Sequence, residues 1–186
     1  MIDIPCVILC GGASKRMGED KSLLPFKNFN TLIEYQHHKL SKIFSTVYIS
    51  AKSNKFDFNA SILYDESQEI YSPMQALYSI LKNIKEEKIF IITVDVPFIK
   101  KKTIEQLVKY SPIYEISIAK DNLHTHNLCG VYSKKILPII KKLLEDNIHK
   151  INTLINLSQN SHIEHFINEK QFTNINTKDE YNKYIL

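Results

Sequence analysis

The run from Ile4 to Cys10 is apolar without a break and stops at two consecutive glycines, Gly11 and Gly12. A short, continuously apolar stretch of this kind reads as a strand buried on both faces of a parallel sheet, and the glycines as the loop that leaves it. That loop is unusual in content. Gly11 to Gly18 hold three of the four glycines of the 186-residue chain and its only arginine, Arg16. Glycines let backbone N–H groups approach and point at an anion, so a glycine cluster at a strand end predicts a phosphate site. Every other basic residue apart from histidine is lysine. A planar five-donor guanidinium placed among glycines suits bidentate contact with phosphate, where a lysine would supply only a point charge. Lys21 follows five residues later, so the two cations can approach a polyphosphate from two sides.

The loop does not match either of the commonest phosphate motifs. A P-loop has glycine directly before its Lys-Ser pair, whereas Lys21-Ser22 follows Asp20. The dinucleotide fingerprint spaces its glycines as G-x-G-x-x-G, and Gly11, Gly12 and Gly18 are not so spaced.

The rest of the chain alternates strand and helix patterns. Leu32 to Phe44 has helical spacing, Val47 to Ser50 and Ser61 to Tyr64 read as strands, and Pro73 to Ile84 as a helix with Met74, Leu77, Tyr78 and Leu81 on its packing face. Lys88 to Val94 has the composition of a central strand and ends at Asp95, before Pro97. Thr103 to Tyr110 reads as helix, Tyr114 to Ala119 and Leu128 to Tyr132 as strands, and Lys134 to Leu144 as a helix with Pro138 in its first turn. The alternation predicts an α/β fold, a Rossmann-like, mostly parallel sheet with helices on both faces, and ligands beyond the carboxyl ends of its strands. The polar tail from Asn156 keeps Phe166, Ile167 and Phe172 as anchors, and residues 1–186 read as a single domain.

Composition narrows the partners. Cys6, Cys10 and Cys129 have neither an even count nor CxxC spacing, which predicts buried, reduced thiols of a cytoplasmic protein rather than a disulfide or metal site. The amino-terminal apolar run is too short for a secretory signal and no stretch is long enough to span a membrane. A net charge of +4 favours an anionic small molecule and falls short of a nucleic-acid footprint. Lys100, Lys101 and Lys102 read as the solvated opening turn of a helix. His37 and His38 read as solvent-facing helix positions, and His124 and His126 as exposed strand positions rather than a metal pair.

Residues Leu9 to Lys21 resemble the L-A-G-G-x-S-x-R-M-G-x-D-K signature of the MobA-type molybdenum cofactor guanylyltransferases, with Cys10 in place of the usual alanine. Thr93 to Phe98 is similar to the family's strand-ending motif, Ser72-Pro73-Met74 to its Gly-Pro-Leu turn, and Asn174 to Thr177 to its Asn-Ile-Asn-Thr. The resemblance implies a nucleotidyltransferase that moves GMP from GTP to the phosphate of molybdopterin and serves molybdoenzymes. The glycine pair favours guanine over the cytosine of related transferases. It implies Arg16, Lys21 and Asp95 as catalytic residues and Mg2+ on Asp95. It implies a GTP site of Leu9, Cys10, Gly11, Gly12, Lys21, Ser50, Asp65 and Asp95, and a pterin site with Asn174 and Asn176. Ser50 stands where the family has asparagine, and Asn127 where proline follows the histidine. Two readings compete with this one: a related transferase using CTP or UTP on another phosphate, and an inert nucleotide-binding or cofactor-carrier relative. On the residues alone, Asp95 also reads as a helix N-cap, Asp65 as a turn aspartate, and Asn174 and Asn176 as loop and cap chemistry.

Overall fold

The computed structural model describes residues 1–11, 18–64 and 72–185. Its centre is a seven-stranded sheet. The strands are β1 (Cys6–Leu9), β2 (Val47–Ala51), β3 (Ser61–Tyr64), β4 (Lys88–Thr93), β5 (Ile116–Lys120), β6 (Thr125–Ser133) and β7 (Ser161–His165), in the spatial order β3-β2-β1-β4-β6-β5-β7. β3, β2, β1 and β4 run parallel; β6 is antiparallel to both neighbours, and β5 is parallel to the edge strand β7. The mostly parallel α/β architecture expected from the sequence is therefore present, with one reversed strand.

Strand periodicity divides the core. Cys6 and Ile8 of β1, with Phe90 and Ile92 of β4, face a layer built from α1 (Leu32–Ser41) and α3 (Lys101–Lys109). Val7 and Leu9, with Ile89 and Ile91, face α2 (Pro73–Asn83), α4 (Leu137–Glu145) and α5 (Ile151–Leu157). Burying each such Ile, Leu or Phe side chain contributes about 1.5–3 kcal/mol, which makes the central strands rigid supports for whatever stands at their ends. Met74 is fully buried in the second layer, as the helical spacing predicts. The three cysteines are buried and free. Burial pushes the Cys129 thiol up to about 12 and the Cys6 thiol well above its usual value. Among the described residues no helix is long and apolar enough to cross a membrane.

Several elements differ from the sequence reading for identifiable reasons. α3 begins at Lys101, two residues early, because Gln171 reaches back from the carboxyl-terminal segment and accepts from the Lys100 N–H (3.3 Å) and the Thr103 hydroxyl (2.7 Å), capping a turn that has no cap of its own. Lys134–Ile136 forms a 3-10 turn ahead of α4. Pro138, lacking an N–H, cannot extend an α-helix back through those residues. β6 starts at Thr125 rather than Leu128, since Asp121 closes the β5–β6 hairpin by accepting from the N–H groups of Leu123 (2.8 Å) and His124 (2.7 Å). A bulge between Ile118 and Ala119 follows, and opposite it Gly130 lies so close to β5 that a Cβ would come within 2.1 Å of the Ser117 carbonyl oxygen. α5, β7 and α6 (Lys178–Asn182) carried no recognised sequence signal.

Candidate functional site

The carboxyl ends of β1, β2 and β4 lie side by side, with Leu9 in register with both Ser50 and Thr93. The chain leaves β4 through Thr93, Val94 and Asp95. The α1 helix holds this turn from beneath. Gln36, fully buried, donates its amide to the Thr93 carbonyl (3.1 Å), and one turn further along Lys39 donates to the carbonyls of Pro97 (2.7 Å) and Ile99 (2.6 Å). The Lys39 ammonium lies in a desolvated place and near Lys27, which hold its pKa at about 8. Four backbone carbonyls of the 93–99 segment, that of Val96 at 3.5 Å from the Gln36 amide included, are thereby met by side chains of a single helix.

Asp95 stands on this support with both carboxylate oxygens engaged. Oδ1 accepts from the Thr93 hydroxyl, and Oδ2 lies 2.7 Å from the Lys21 ammonium. Lys21 also donates to Oδ1 of Asn176 at 2.9 Å, and the Lys21 and Asp95 side chains are 18% and 17% exposed. Enough surface remains for a ligand to touch either. Lys21 is aimed by its own 3-10 turn, Lys21–Leu23, whose N-cap Asp20 accepts from the Ser22 N–H (3.0 Å) and hydroxyl (2.6 Å) and pairs with Lys55. Burial opposes ionisation of Asp20, but Lys55 and Ser22 outweigh it and hold the carboxyl below its usual value. The N-cap role considered for Asp95 is absent: α3 is preceded by Lys100, which makes no side-chain cap.

The carboxyl-terminal segment crosses this end of the sheet. The Ile175 N–H donates to the Asp95 carbonyl (2.9 Å), which brings Asn176 to Lys21. Thr177 then caps α6 in a capping box with Glu180, whose carboxylate also accepts from the Asn176 N–H (2.7 Å). Asn176 thus joins the site, whereas Asn174 is exposed on the segment before it.

Beside Thr93 opens a cavity of about 160 Å3, lined in part by Leu9, Gly11, Ser50, Lys52, Ser72 and Leu128. It is smaller than the roughly 300–1,000 Å3 of a complete ligand pocket, so it suits one ring system with the remainder of a ligand lying outside it. Among the described residues, a Cβ on Gly11 would meet nothing within 4 Å. The bareness of the glycine leaves room there for a ligand to approach the backbone. Cys10 does not line the cavity: its backbone N–H is tied to the Ser50 carbonyl (2.9 Å), and its buried thiol, raised by desolvation, is turned to Ser22. Arg16, Gly12 and Asp65 lie outside the described residues.

Two histidine expectations are corrected. His126 is held by Asp121 (2.9 Å) and stacks on Phe172 with ring centroids 4.2 Å apart, because closing the hairpin turns it under the carboxyl-terminal segment. His37 is half-buried against Phe58, and desolvation lowers its pKa.

Sequence reasoning missed Thr93, Lys52, Ala76 and Leu128 as lining residues, and Gln36 and Lys39 as supports. Thr93 had a usable signal, two positions before Asp95 and so on the same side of an extended chain. Among the described residues no three His, Cys, Asp or Glu side chains gather as a metal cluster. What Asp95 does have around it is oxygen, from Thr93 and Asn176, with a cationic group already resting between two of these residues. That donor set fits a hard divalent cation taking one carboxylate and completing its shell from substrate phosphates and water.

A family model described as a MobA-like NTP transferase domain matches residues 6–163. The chain is 44% identical over 187 residues to the molybdenum cofactor guanylyltransferase of Campylobacter jejuni subsp. doylei, covering 98% of this chain and 95% of that one. It is 30% identical to the protein of that name in Helicobacter pylori strain P12, covering 96% and 90%. Its fold is like that of molybdopterin-guanine dinucleotide biosynthesis protein A from Archaeoglobus fulgidus, with a TM-score of 0.81, 18% identity and coverage of 97% and 96%.

Proposed function

Since the chain belongs to the MobA-like NTP transferase family, we propose that residues 1–186 act as one domain that transfers GMP from GTP to the phosphate of molybdopterin, in the cytoplasm, with release of pyrophosphate. The observation that carries this reading is the joining of Lys21, Asp95 and Asn176 at the strand ends, directly beside a ring-sized cavity. In-line transfer brings together two polyanions, and the attacking phosphate oxygen is already negative. The protein needs neither a nucleophile nor a general base. It has to position the reactants and stabilise charge on the departing pyrophosphate.

Lys21 supplies a positive charge on the Asp95 side of the cleft, kept in place by Asp95 and Asn176 until phosphates compete for it. Arg16, from the same loop, would add a bidentate clamp on the phosphates. Leu9, Gly11 and Ser50 would take the guanosine, with Gly12 and Asp65 from the adjoining loops, and Lys52 would stand at the rim. Asn176 faces the acceptor side and Asn174 is the second amide for the pterin. Asp95 would hold magnesium, with Thr93 and Asn176 as further oxygen donors; when bound, the ion would neutralise charge on the phosphates. Molybdoenzymes that use the dinucleotide form of the cofactor would receive the product.

Thermal unfolding with GTP, CTP, UTP and ATP, with and without Mg2+, tests this reading. At a hundred times its Kd, GTP stabilises the folded protein by about 2.7 kcal/mol. A shift selective for GTP, lessened by Asp95→Ala, is the expected result. Preference for CTP or UTP would overturn the guanine assignment, and no shift with any nucleotide would leave an inert relative.

A further inference from the structure

The cavity wall contains a hydrogen-bonded relay that the reaction above does not use. Ser72 lines the cavity and is the N-cap of α2, where its Oγ accepts from the Gln75 N–H at 3.1 Å. The same Oγ lies 3.0 Å from Nδ1 of His149, and Nε2 of that ring lies 2.9 Å from Oδ1 of Asn147. His149 arrives there through the way α4 ends. Asn147 adopts φ 58°, its N–H donates to the Leu144 carbonyl (3.0 Å), and the Ile148 N–H reaches back to the Leu143 carbonyl (2.7 Å). This is the 6→1 and 5→2 pair of a Schellman turn, and it directs the chain back toward the amino terminus of α2.

With the imidazole in its neutral form, the three contacts assign one direction to each proton. The Asn147 carbonyl oxygen can only accept, so Nε2 of the neutral imidazole carries the hydrogen and Nδ1 is a bare acceptor. Nδ1 therefore takes the hydroxyl hydrogen of Ser72. A serine hydroxyl has one donor and two acceptor lone pairs. With the donor spent on His149 and one lone pair on Gln75, what Ser72 retains is a single acceptor.

We propose that Ser72, its hydroxyl hydrogen drawn away by His149, is a specificity-determining acceptor in the nucleotide cavity and selects nucleosides that present an N–H or O–H donor to that wall. The inference rests on the cavity being the nucleoside site. Two groups of GTP carry the required chemistry: the N–H edge of guanine and the ribose hydroxyls. His149 acts through Ser72 and is a positioning residue. If it loses its acceptor nitrogen, the Ser72 hydroxyl is free to turn its hydrogen toward the ligand, and the wall changes from acceptor to mixed character.

The test is nucleotide binding by calorimetry, using GTP, inosine triphosphate, which lacks the 2-amino group of guanine, 1-methyl-GTP, which lacks its N1–H, and 2′- and 3′-deoxy-GTP, which each lack one ribose hydroxyl. For the native protein one of these analogues binds about fivefold more weakly than GTP, the value of one ordinary hydrogen bond, and which one does so identifies the donor. Ser72→Ala and His149→Phe bring that ratio close to one, and His149→Gln, which restores an acceptor to Ser72, recovers it. A variant that weakens GTP and every analogue equally, leaving the ratio unchanged, would show that the relay only supports the fold and would overturn the proposal. So would a native protein that binds GTP and all four analogues alike. If the native protein binds no GTP, the guanylyltransferase reading falls and this inference falls with it.

Discussion

The two sides of the strand-end cleft are built by opposite means. At Asp95 the turn is fastened by side chains drawn from distant parts of the chain: Gln36 and Lys39 from α1, Lys21 from the first loop, Asn176 from the carboxyl-terminal segment. Beside it the cavity is lined by small residues, Gly11, Ser50, Ala51, Ser72 and Ala76, together with the apolar Leu9, Pro73 and Leu128, and Ser72 is in contact with His149. Charge chemistry requires dipoles fixed in advance, because reorganising them during the reaction would cost the stabilisation they provide. Recognition requires space and a few aimed groups. Changes on the first side should therefore alter rate, and changes on the second should alter which nucleotide binds.

The sharpest way to break this contrast is Asp95→Asn. It keeps the shape of the side chain and removes its charge, and pyrophosphate release should fall by about a hundred- to a thousandfold, the scale seen when one preorganised group is lost. Near-normal turnover would mean that Asp95 is only structural. Gln36→Ala comes next. It removes one of the two donors to the half-buried Thr93 carbonyl, the Val96 N–H remaining, at a cost of about 1 kcal/mol, read from urea midpoints, and should lower turnover more than nucleotide affinity. On the recognition side, Ala76→Leu should fill part of the cavity and weaken nucleotide binding roughly tenfold, about 1.4 kcal/mol, with Lys21 and Asp95 left in place. An equal effect on turnover at saturating nucleotide would show that the two sides are not separable.

The smallest effect concerns Lys39. Its pKa is held down at about 8 by burial first and by Lys27 second, while in the unfolded chain it returns toward the usual 10.5. Between those values the unfolded chain binds a proton that the folded chain does not. The contribution of Lys39 to stability therefore improves as pH rises from about 8 to 10.5 and is constant below that window. The stability difference between the native protein and Lys39→Met, followed by urea unfolding from pH 7 to 10, should change in that direction; a flat difference would mean the two carbonyl contacts offset the desolvation.

The legible parts of the molecule were those where one physical requirement dominates. β1 and β4 are buried on both faces, so their apolar runs identified them, and a glycine pair or an aspartate at such an end marks the ligand side of a parallel sheet. β7 was not legible because it is an edge strand whose side chains, such as His162 and Glu164, are satisfied by each other and by Gln106 rather than by a core. Asn176 and Asn174 are equivalent in sequence, and only the Ile175 contact to Asp95 determines which of them reaches Lys21. His126 appeared as an alternating surface residue since its partners, Asp121 and Phe172, come together only when the carboxyl-terminal segment crosses the hairpin. Gln36, Lys39 and His149 belong to helices or their ends, and nothing in local periodicity says that their polar atoms serve another segment.

The contact between Lys21 and Asn176 spans 155 positions. A ribosome that has made the first loop, the central strands and Asp95 has made most of the cleft, yet Lys21 still lacks the Asn176 oxygen, and Asp95 still lacks the N–H that Ile175 brings. Assembly of this centre thus waits until Ile175 and Asn176 emerge, so that a chain broken off before them, or clipped within that segment, would keep the strand-end cavity without the assembled centre beside it.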